Sequence, residues 1–196
     1  MISIIIKNLY KKFDDTELFN GLSLEFNAGQ AYALFSPSGS GKTTLLRLIS
    51  GLQNPDKGDI IFKNNGKIIH KPGISMVFQE DRLCEDFSAV DNIVFATKLS
   101  KTTATGELIK LLPENLIHKP VSKLSGGQRR RVCIVRAMNY EEASIILMDE
   151  PFTGLDIESK KISCNYILNK KADRLMILST HDTEDLNFLG LTPVNF

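Results

Sequence analysis

Tryptophan is absent from this sequence of 196 residues, and cysteine is scarce. Its three cysteines, Cys84, Cys133 and Cys164, stand far apart. No pair has the short spacing of a metal or redox motif, which excludes a disulfide framework and a zinc fold. The thiols read as buried or incidental, in a reducing compartment. No apolar run approaches the roughly 20 residues that span a bilayer. The opening Met1-Ile2-Ser3-Ile4-Ile5-Ile6-Lys7 is too short and badly arranged for a signal peptide. A cytoplasmic protein is expected, reaching a membrane only through a partner. An excess of one charge is missing too: 24 Lys and Arg face 23 Asp and Glu, for a net charge of +1. That balance makes no broad electrostatic case for nucleic acid or an anionic membrane. Arg129-Arg130-Arg131 is the one dense basic run, and it reads as a solvated helix face. Internal repeats and low-complexity segments are also lacking.

What is present is a globular composition, 42% hydrophobic and 24% charged, long enough for one substantial core. Ile2 to Lys7 is a β-branched run and predicts a strand. Leu22, Leu24 and Phe26 alternate with Ser23 and Glu25, as a half-buried strand does. Asn27-Ala28-Gly29 turns this strand into another over Gln30–Phe35. Pro55-Asp56-Lys57-Gly58 has turn chemistry. Asp59–Lys63 and Lys67–His70 predict a hairpin around Asn64-Asn65-Gly66, and Ile74–Phe78 a further strand. Beyond Gln79 the texture becomes helical. Ser88-Ala89-Val90-Asp91 resembles a capping start. Lys101 to Gly106 reads as a polar connector, Glu107–Leu112 as a short helix, and Gly126 to Asn139 as a longer one. Ser144–Met148 is uninterrupted and apolar, as a buried parallel strand is. A helix over Asp156–Lys171, a strand over Leu175–Ser179 and a helix over Thr183–Leu189 follow. Strands alternating with helices imply a parallel or mixed sheet with helices on both faces.

The chain is organised around Ser36-Pro37-Ser38-Gly39-Ser40-Gly41-Lys42-Thr43-Thr44. It follows the apolar run Ala31 to Phe35 and leads into Leu45-Leu46-Arg47-Leu48-Ile49, an order of strand, glycine-bearing loop and helix. In that context the stretch reads as a phosphate loop. Its backbone N–H groups can turn inward, and the helix start adds unsatisfied N–H groups and a positive dipole end. Lys42 would reach the β- and γ-phosphates of a nucleotide, and the Thr43 hydroxyl would ligate Mg²⁺. The pattern asks for glycine where Ser36 stands. Serine fits there if its φ is negative, and nucleotide affinity is where a cost would appear.

A second constellation narrows the class. Leu124-Ser125-Gly126-Gly127-Gln128 precedes a helix, and Ile145-Ile146-Leu147-Met148-Asp149-Glu150 follows downstream. Ser125-Gly126-Gly127 offers a hydroxyl and backbone amides at a helix start, a second anion cradle. Together with the phosphate loop, these residues resemble the nucleotide-binding subunit of ABC (ATP-binding cassette) transporters, over essentially the whole chain. The resemblance implies an α/β fold: a P-loop NTPase (RecA-like) core with an N-terminal antiparallel β-subdomain and a helical insertion subdomain. Residues 1–196 would be a single ABC ATPase domain, with the core at about 1–82 and 139–196 and the helical subdomain at about 83–138.

The resemblance also implies roles. ATP would lie on Ser36, Pro37, Ser38, Gly39, Ser40, Gly41, Lys42, Thr43 and Thr44, with Phe13 stacked on adenine and Tyr10 as its rival. Ser125, Gly126, Gly127 and Gln128 would bind the γ-phosphate of ATP held on an opposite subunit, and Asp156 would cross the dimer interface. Asp149, with Thr43 and Gln79, would hold Mg²⁺. Glu150 would activate the attacking water, with Gln79, His181 and Lys42 completing the catalytic set. The implied partners are a second ATPase subunit, identical or paralogous, an integral membrane permease subunit and a substrate-binding protein, with no nucleic acid. The place would be peripheral, on the cytoplasmic face of the cell membrane. Phe78-Gln79-Glu80-Asp81-Arg82-Leu83 looks like the corresponding stretch of importer ATPases for nitrate, sulfonate or taurine, with Asp81 where they carry proline. Ending at Phe196 with no C-terminal regulatory domain, the sequence reads as a stripped-down ATPase subunit. Two alternatives share the motifs: a soluble ABC ATPase, for example of cluster assembly, and a regulatory module with weakened catalysis. Glu150 and His181 argue against the second.

Overall fold

A computed structural model describes residues 1–14 and 16–196. In chain order the strands are β1 (Ile2–Phe13), β2 (Thr16–Phe26), β3 (Ala31–Leu34), β4 (Lys57–Asn64), β5 (Lys67–Ile69), β6 (Ile74–Val77), β7 (Ile145–Asp149), β8 (Leu175–Ser179) and β9 (Thr192–Val194). The helices are α1 (Lys42–Ser50), α2 (Ala89–Thr97), α3 (Lys101–Leu108), α4 (Glu114–Ile117), α5 (Gly126–Met138), α6 (Ile157–Lys171) and α7 (Thr183–Leu189). Two compact units result. One comprises Met1–Met76, Ala143–Asp149 and Asp173–Phe196; the other comprises Val77–Glu142 and Glu150–Ala172.

The first unit holds two sheets. One is antiparallel, in the order β2-β1-β4-β5, and the other runs β6-β7-β8-β3-β9. In β1, Ile2, Ile4 and Ile6 turn inward while Ser3 and Ile5 stay half-buried, the period-two pattern of a one-sided sheet. β7 and β8 are buried at every position and pair in parallel, and β3 pairs in parallel with β8 and β9. That is why their sequences are continuous apolar runs rather than alternating ones. Leu45, Leu46, Leu48 and Ile49 of α1 join one hydrophobic cluster with Ile4, Ile6 and Phe26 of the antiparallel sheet and Ile145, Leu147 and Ile177 of the other. Gly51 ends α1 at φ +70, its N–H donating to Leu48 O at 3.0 Å. β9 was not expected from the sequence. It has three residues, is mostly exposed and carries Pro193, which a sheet tolerates at its edge.

In the second unit, α2 packs on α3 and α5, and α5 on α6. Ser88 caps α2 as expected, accepting from Asp91 N at 3.1 Å. The next stretch differs from the expectation. Lys101 to Gly106 is helix, not connector, and the helix ends at Leu108 instead of running to Leu112. Ser100 decides this: its hydroxyl accepts from Thr103 N at 3.1 Å and starts the helix at Lys101 rather than Glu107. Ala104 and Leu108, four residues apart, then bury on one face. Threonine-rich composition masked that spacing. Among the described residues, no helix is long and apolar enough to cross a membrane.

A buried carboxylate ties this unit together. Glu107 accepts from Tyr166 at 2.7 Å and Lys110 at 2.8 Å, and it pairs with Lys170 at 3.0 Å. Burial alone would raise its pKa, but the bonds from Lys110, Tyr166 and Lys170 outweigh it and hold the carboxyl below its ordinary value. A pKa lower in the folded chain than in the unfolded one contributes stability above the unfolded value of about 4.3. That contribution disappears as pH falls through the folded value. Glu107→Gln is therefore expected to lower stability by about 2 kcal/mol at pH 7 and to flatten the loss of stability below about pH 4. Urea unfolding across a pH series checks both.

Candidate functional site

The phosphate-loop stretch leaves β3 and enters α1 within the first unit. Gly39 and Gly41 lie at φ +84 and +98, in the left-handed region. Space adds a second demand at Gly41, where a Cβ would stand 2.8 Å from the Phe19 ring. Gly41 also caps α1 without a side chain, so the cap residue takes none of the first N–H groups of the helix. Lys42 is buried and bends over the loop, its ammonium donating to Ser36 O at 2.5 Å and Pro37 O at 3.0 Å. The Ser40 hydroxyl is buried with no hydrogen-bond partner among the described residues. Uncapped amides, a folded-in ammonium and an orphaned hydroxyl on one loop fit a phosphate chain. Ser36 is not among the positive-φ residues, so its backbone does not require glycine. Its hydroxyl instead donates to Phe196 O and accepts from Phe196 N, both at 3.3 Å. Pro37 and Ser38 are exposed, while Thr43 and Thr44 are half-buried.

Asp149 ends β7 with 2% of its surface exposed and accepts from Ser179 Oγ at 2.7 Å. Thr43 and Asp149 are hard oxygen donors within the same unit and suit Mg²⁺. No cluster of three or more His, Cys, Asp or Glu that could hold a metal occurs among the described residues. A magnesium ion here would rely on phosphate oxygens and water, as Mg²⁺ sites usually do. His181 is exposed just beyond β8. Thr180 before it is bonded to Asp185, and Asp182 after it caps α7, accepting from Glu184 N at 2.8 Å. Phe13 is 45% exposed, with the Lys11 ammonium 5.5 Å from its ring centre. Tyr10 is half-buried, and its hydroxyl lies 3.3 Å from where a Cβ at Gly21 would be.

The second unit brings together Gln79, Ser125, Gly126, Gly127 and Asp156, which line a cleft of about 560 Å³. Ser125 and Gln128 form a capping box. The hydroxyl accepts from Gln128 N at 3.3 Å, and Gln128 Oε1 accepts from Ser125 N at 2.9 Å. Accepting leaves the hydroxyl proton of Ser125 available to an anion. Asp156 caps α6, accepting from Ser159 N at 2.7 Å and from its hydroxyl at 3.0 Å, and the backbone bond foremost holds its pKa below the ordinary value. Glu150 sits at φ +46, an uncommon conformation for a residue with a side chain. Thus Lys42, Thr43, Asp149, His181 and Phe13 stand in one unit, and Gln79, Glu150, Ser125, Gly126, Gly127, Gln128 and Asp156 in the other.

The basic run is not a solvated face. Arg130 is 6% exposed, and all three arginines donate to main-chain carbonyls. The sequence reading missed Arg130 and its neighbour Asp81. The available signal was spacing: three consecutive residues on a helix span about 200° of its surface, so they cannot all share a solvent face.

The family of ABC transporters matches residues 19–153. The chain is 37% identical over 196 residues to the sulfate/thiosulfate import ATP-binding protein CysA of Mesostigma viride, an alignment covering 94% of this chain and 56% of that protein. It is 36% identical to the spermidine/putrescine import ATP-binding protein PotA of Legionella pneumophila subsp. pneumophila (strain Philadelphia 1), covering 93% and 53%. It therefore spans little more than half the length of these curated relatives. Among solved structures, it superposes with a TM-score of 0.80 and 25% identity on the dimeric post-hydrolysis state of an ATP-binding cassette bound to ADP and Pi, covering 94% of this chain and 90% of that one.

The two adjacent glycines of the cleft differ physically. A Cβ at Gly127 would stand 2.9 Å from Gly154 O and 3.2 Å from Leu155, whereas one at Gly126 meets nothing within 4 Å. Gly127→Ala is expected to cost about 1–3 kcal/mol by pushing the turn at Gly154 away, and Gly126→Ala to leave stability nearly unchanged. Thermal unfolding of the two variants side by side measures the difference.

Proposed function

We propose a function on one premise: this chain belongs to the ABC transporter family. It is the ATP-binding and ATP-hydrolysing subunit of a transporter, and it works as a dimer closed around two ATP molecules. One observation carries this reading. The chain holds two separate phosphate cradles, and only the phosphate loop carries a lysine, a metal-binding hydroxyl and, in its own unit, a buried aspartate. The cradle at Ser125 to Gly127 has amides and a hydroxyl on an open cleft with Gln79 and Asp156. A cradle in a different unit from Lys42, Thr43 and Asp149 suits a phosphate held by another copy, and a second copy of the chain supplies one.

The residues then divide the chemistry. The loop from Ser36 to Thr44 holds the phosphates, with Lys42 against the β- and γ-phosphates and Phe13 stacked on the base. Stacking contributes on the order of 1–3 kcal/mol by analogy with base–aromatic pairs. Thr43, Asp149 and Gln79 would hold Mg²⁺, which would neutralise phosphate charge. Ser125, Gly126, Gly127 and Gln128 of the opposite copy close on the γ-phosphate, and Asp156 crosses the interface. Glu150 takes a proton from the attacking water as the γ-phosphorus bond to the bridging oxygen breaks, so ATP and water leave as ADP and inorganic phosphate. Gln79 and His181 hold that water and the γ-phosphate. Loss of the bridging charge shifts the population back to the open dimer.

Work on a cargo requires a membrane-spanning permease subunit, which places this chain on the cytoplasmic face. Import is the direction assigned, in keeping with both relatives, which are named import proteins, and a substrate-binding protein then delivers the cargo.

Light scattering of Glu150→Gln protein, with and without Mg-ATP and with bound nucleotide quantified, tests this reading. The expected outcome is a monomer that becomes an ATP-loaded dimer, with phosphate release down about 100-fold or more from the unmutated chain. A monomer that binds no ATP overturns it. A monomer loaded with ATP overturns the self-closing dimer and makes the permease or a different ATPase subunit necessary for closure.

A further inference from the structure

The loop that carries Gln79 is held by side chains of α5, and almost entirely through its backbone. Arg130 Nη1 donates to Phe78 O and Nη2 to Gln79 O, each at 2.5 Å. The Cys133 thiol donates to Asp81 O at 2.9 Å. Arg136 donates to Arg82 O at 2.7 Å and Asp81 O at 3.3 Å. Four carbonyls among residues 78 to 82 thus accept from one helix. Asp81 supplies the countercharge, its carboxylate 3.1 Å from Arg129 Nε and 3.8 Å from Arg130 Nε. The Arg82 guanidinium, in turn, lies 3.9 Å from the centre of the Phe78 ring.

We infer that Arg130, with Asp81 as its counter-ion, is the positioning residue for Gln79. The guanidinium is a planar fork whose two N–H groups meet two consecutive carbonyls at once, which fixes the direction of the peptide between them. A lysine ammonium can reach two carbonyls, as Lys42 does, but as a rotatable point charge it does not set that direction. Burial makes the arrangement all-or-none, because the Arg130 side chain is 7% exposed and its charge has no solvent to fall back on. α5 also begins at Gly126, directly after Ser125. Gln79 and the Ser125–Gly127 cradle are therefore mounted on one rigid element. A ligand that shifts the cradle carries Gln79 with it.

The functional half of this inference rests on the proposed ATPase reading, so its test has an arm that does not. The chain has no tryptophan of its own, and Phe78→Trp gives the loop a sole reporter. In that background Arg130→Lys is expected to raise acrylamide quenching of the reporter at least about twofold, with Asp81→Asn smaller in the same direction. Unchanged quenching in both variants overturns the inference, whether or not the protein hydrolyses ATP. In the second arm, without the reporter, Arg130→Lys is expected to lower phosphate release at saturating ATP roughly ten- to hundredfold while ATP affinity stays within about twofold. In a Gln79→Ala background the same change is expected to have almost no further effect. A full additional loss there overturns the positioning role. Absence of phosphate release from the unmutated chain counts against the ATPase reading, and the quenching arm still decides the inference.

Discussion

The contact between Gly41 and Phe19 is the constraint on which the phosphate loop depends. Phe19 belongs to the antiparallel sheet and is buried in the same cluster as α1 and the central strands. Its ring occupies the space that any Cβ at position 41 would need. The loop can therefore enter α1 only along the left-handed path that glycine allows. That path leaves the first turn of the helix without a side-chain cap, and the uncapped amides are what can bind phosphate. Core packing and ligand chemistry are here one fact: the sheet that buries the helix also shapes the loop.

In each unit, one buried cation is bonded by backbone carbonyls. Lys42 is satisfied by two carbonyls of its own loop, and Arg130 by two carbonyls of another. The consequences differ with the head group. The ammonium of Lys42 is a rotatable point charge that can exchange a carbonyl for a phosphate oxygen with little rearrangement. The guanidinium of Arg130 is a fixed fork and holds geometry.

How much of this was legible follows from which forces act locally. The two glycine-bearing helix starts, the strand-end pair Asp149-Glu150 and the buried strands all show in sequence, because each is a short segment whose residue types mark it. Ser100 as the start of α3 was hidden, since a threonine-rich stretch with Gly106 looks like a connector until Ala104 and Leu108 find their neighbours. Arg130 was hidden for a different reason. Its partners are carbonyls about fifty positions upstream, and carbonyls have no letter in the sequence. Ser36 shows the reverse case. The departure from glycine was visible, but its φ and its bonds to Phe196 needed coordinates, because the residue it meets lies 160 positions away.

Adjacent carboxylates raise a problem that the backbone solves. Asp149 and Glu150 follow each other directly, and two like charges on one side of the chain would repel each other. In a continued strand, successive side chains would point to opposite faces, and Glu150 would then be directed away from whatever Asp149 serves. The chain takes neither course. Asp149 keeps strand geometry and is buried against Ser179, while Glu150 turns left-handed at φ +46. That conformation costs on the order of 1–2 kcal/mol. The turn that follows supports it, for Thr153 N donates to Glu150 O at 3.3 Å, and Pro151 and Phe152 are buried directly after it. The strain lets two neighbouring carboxylates have separate environments, one dry and fixed by a hydroxyl, the other half-exposed. The left-handed residue is thus the physical step by which one strand end gives two adjacent carboxylates different surroundings.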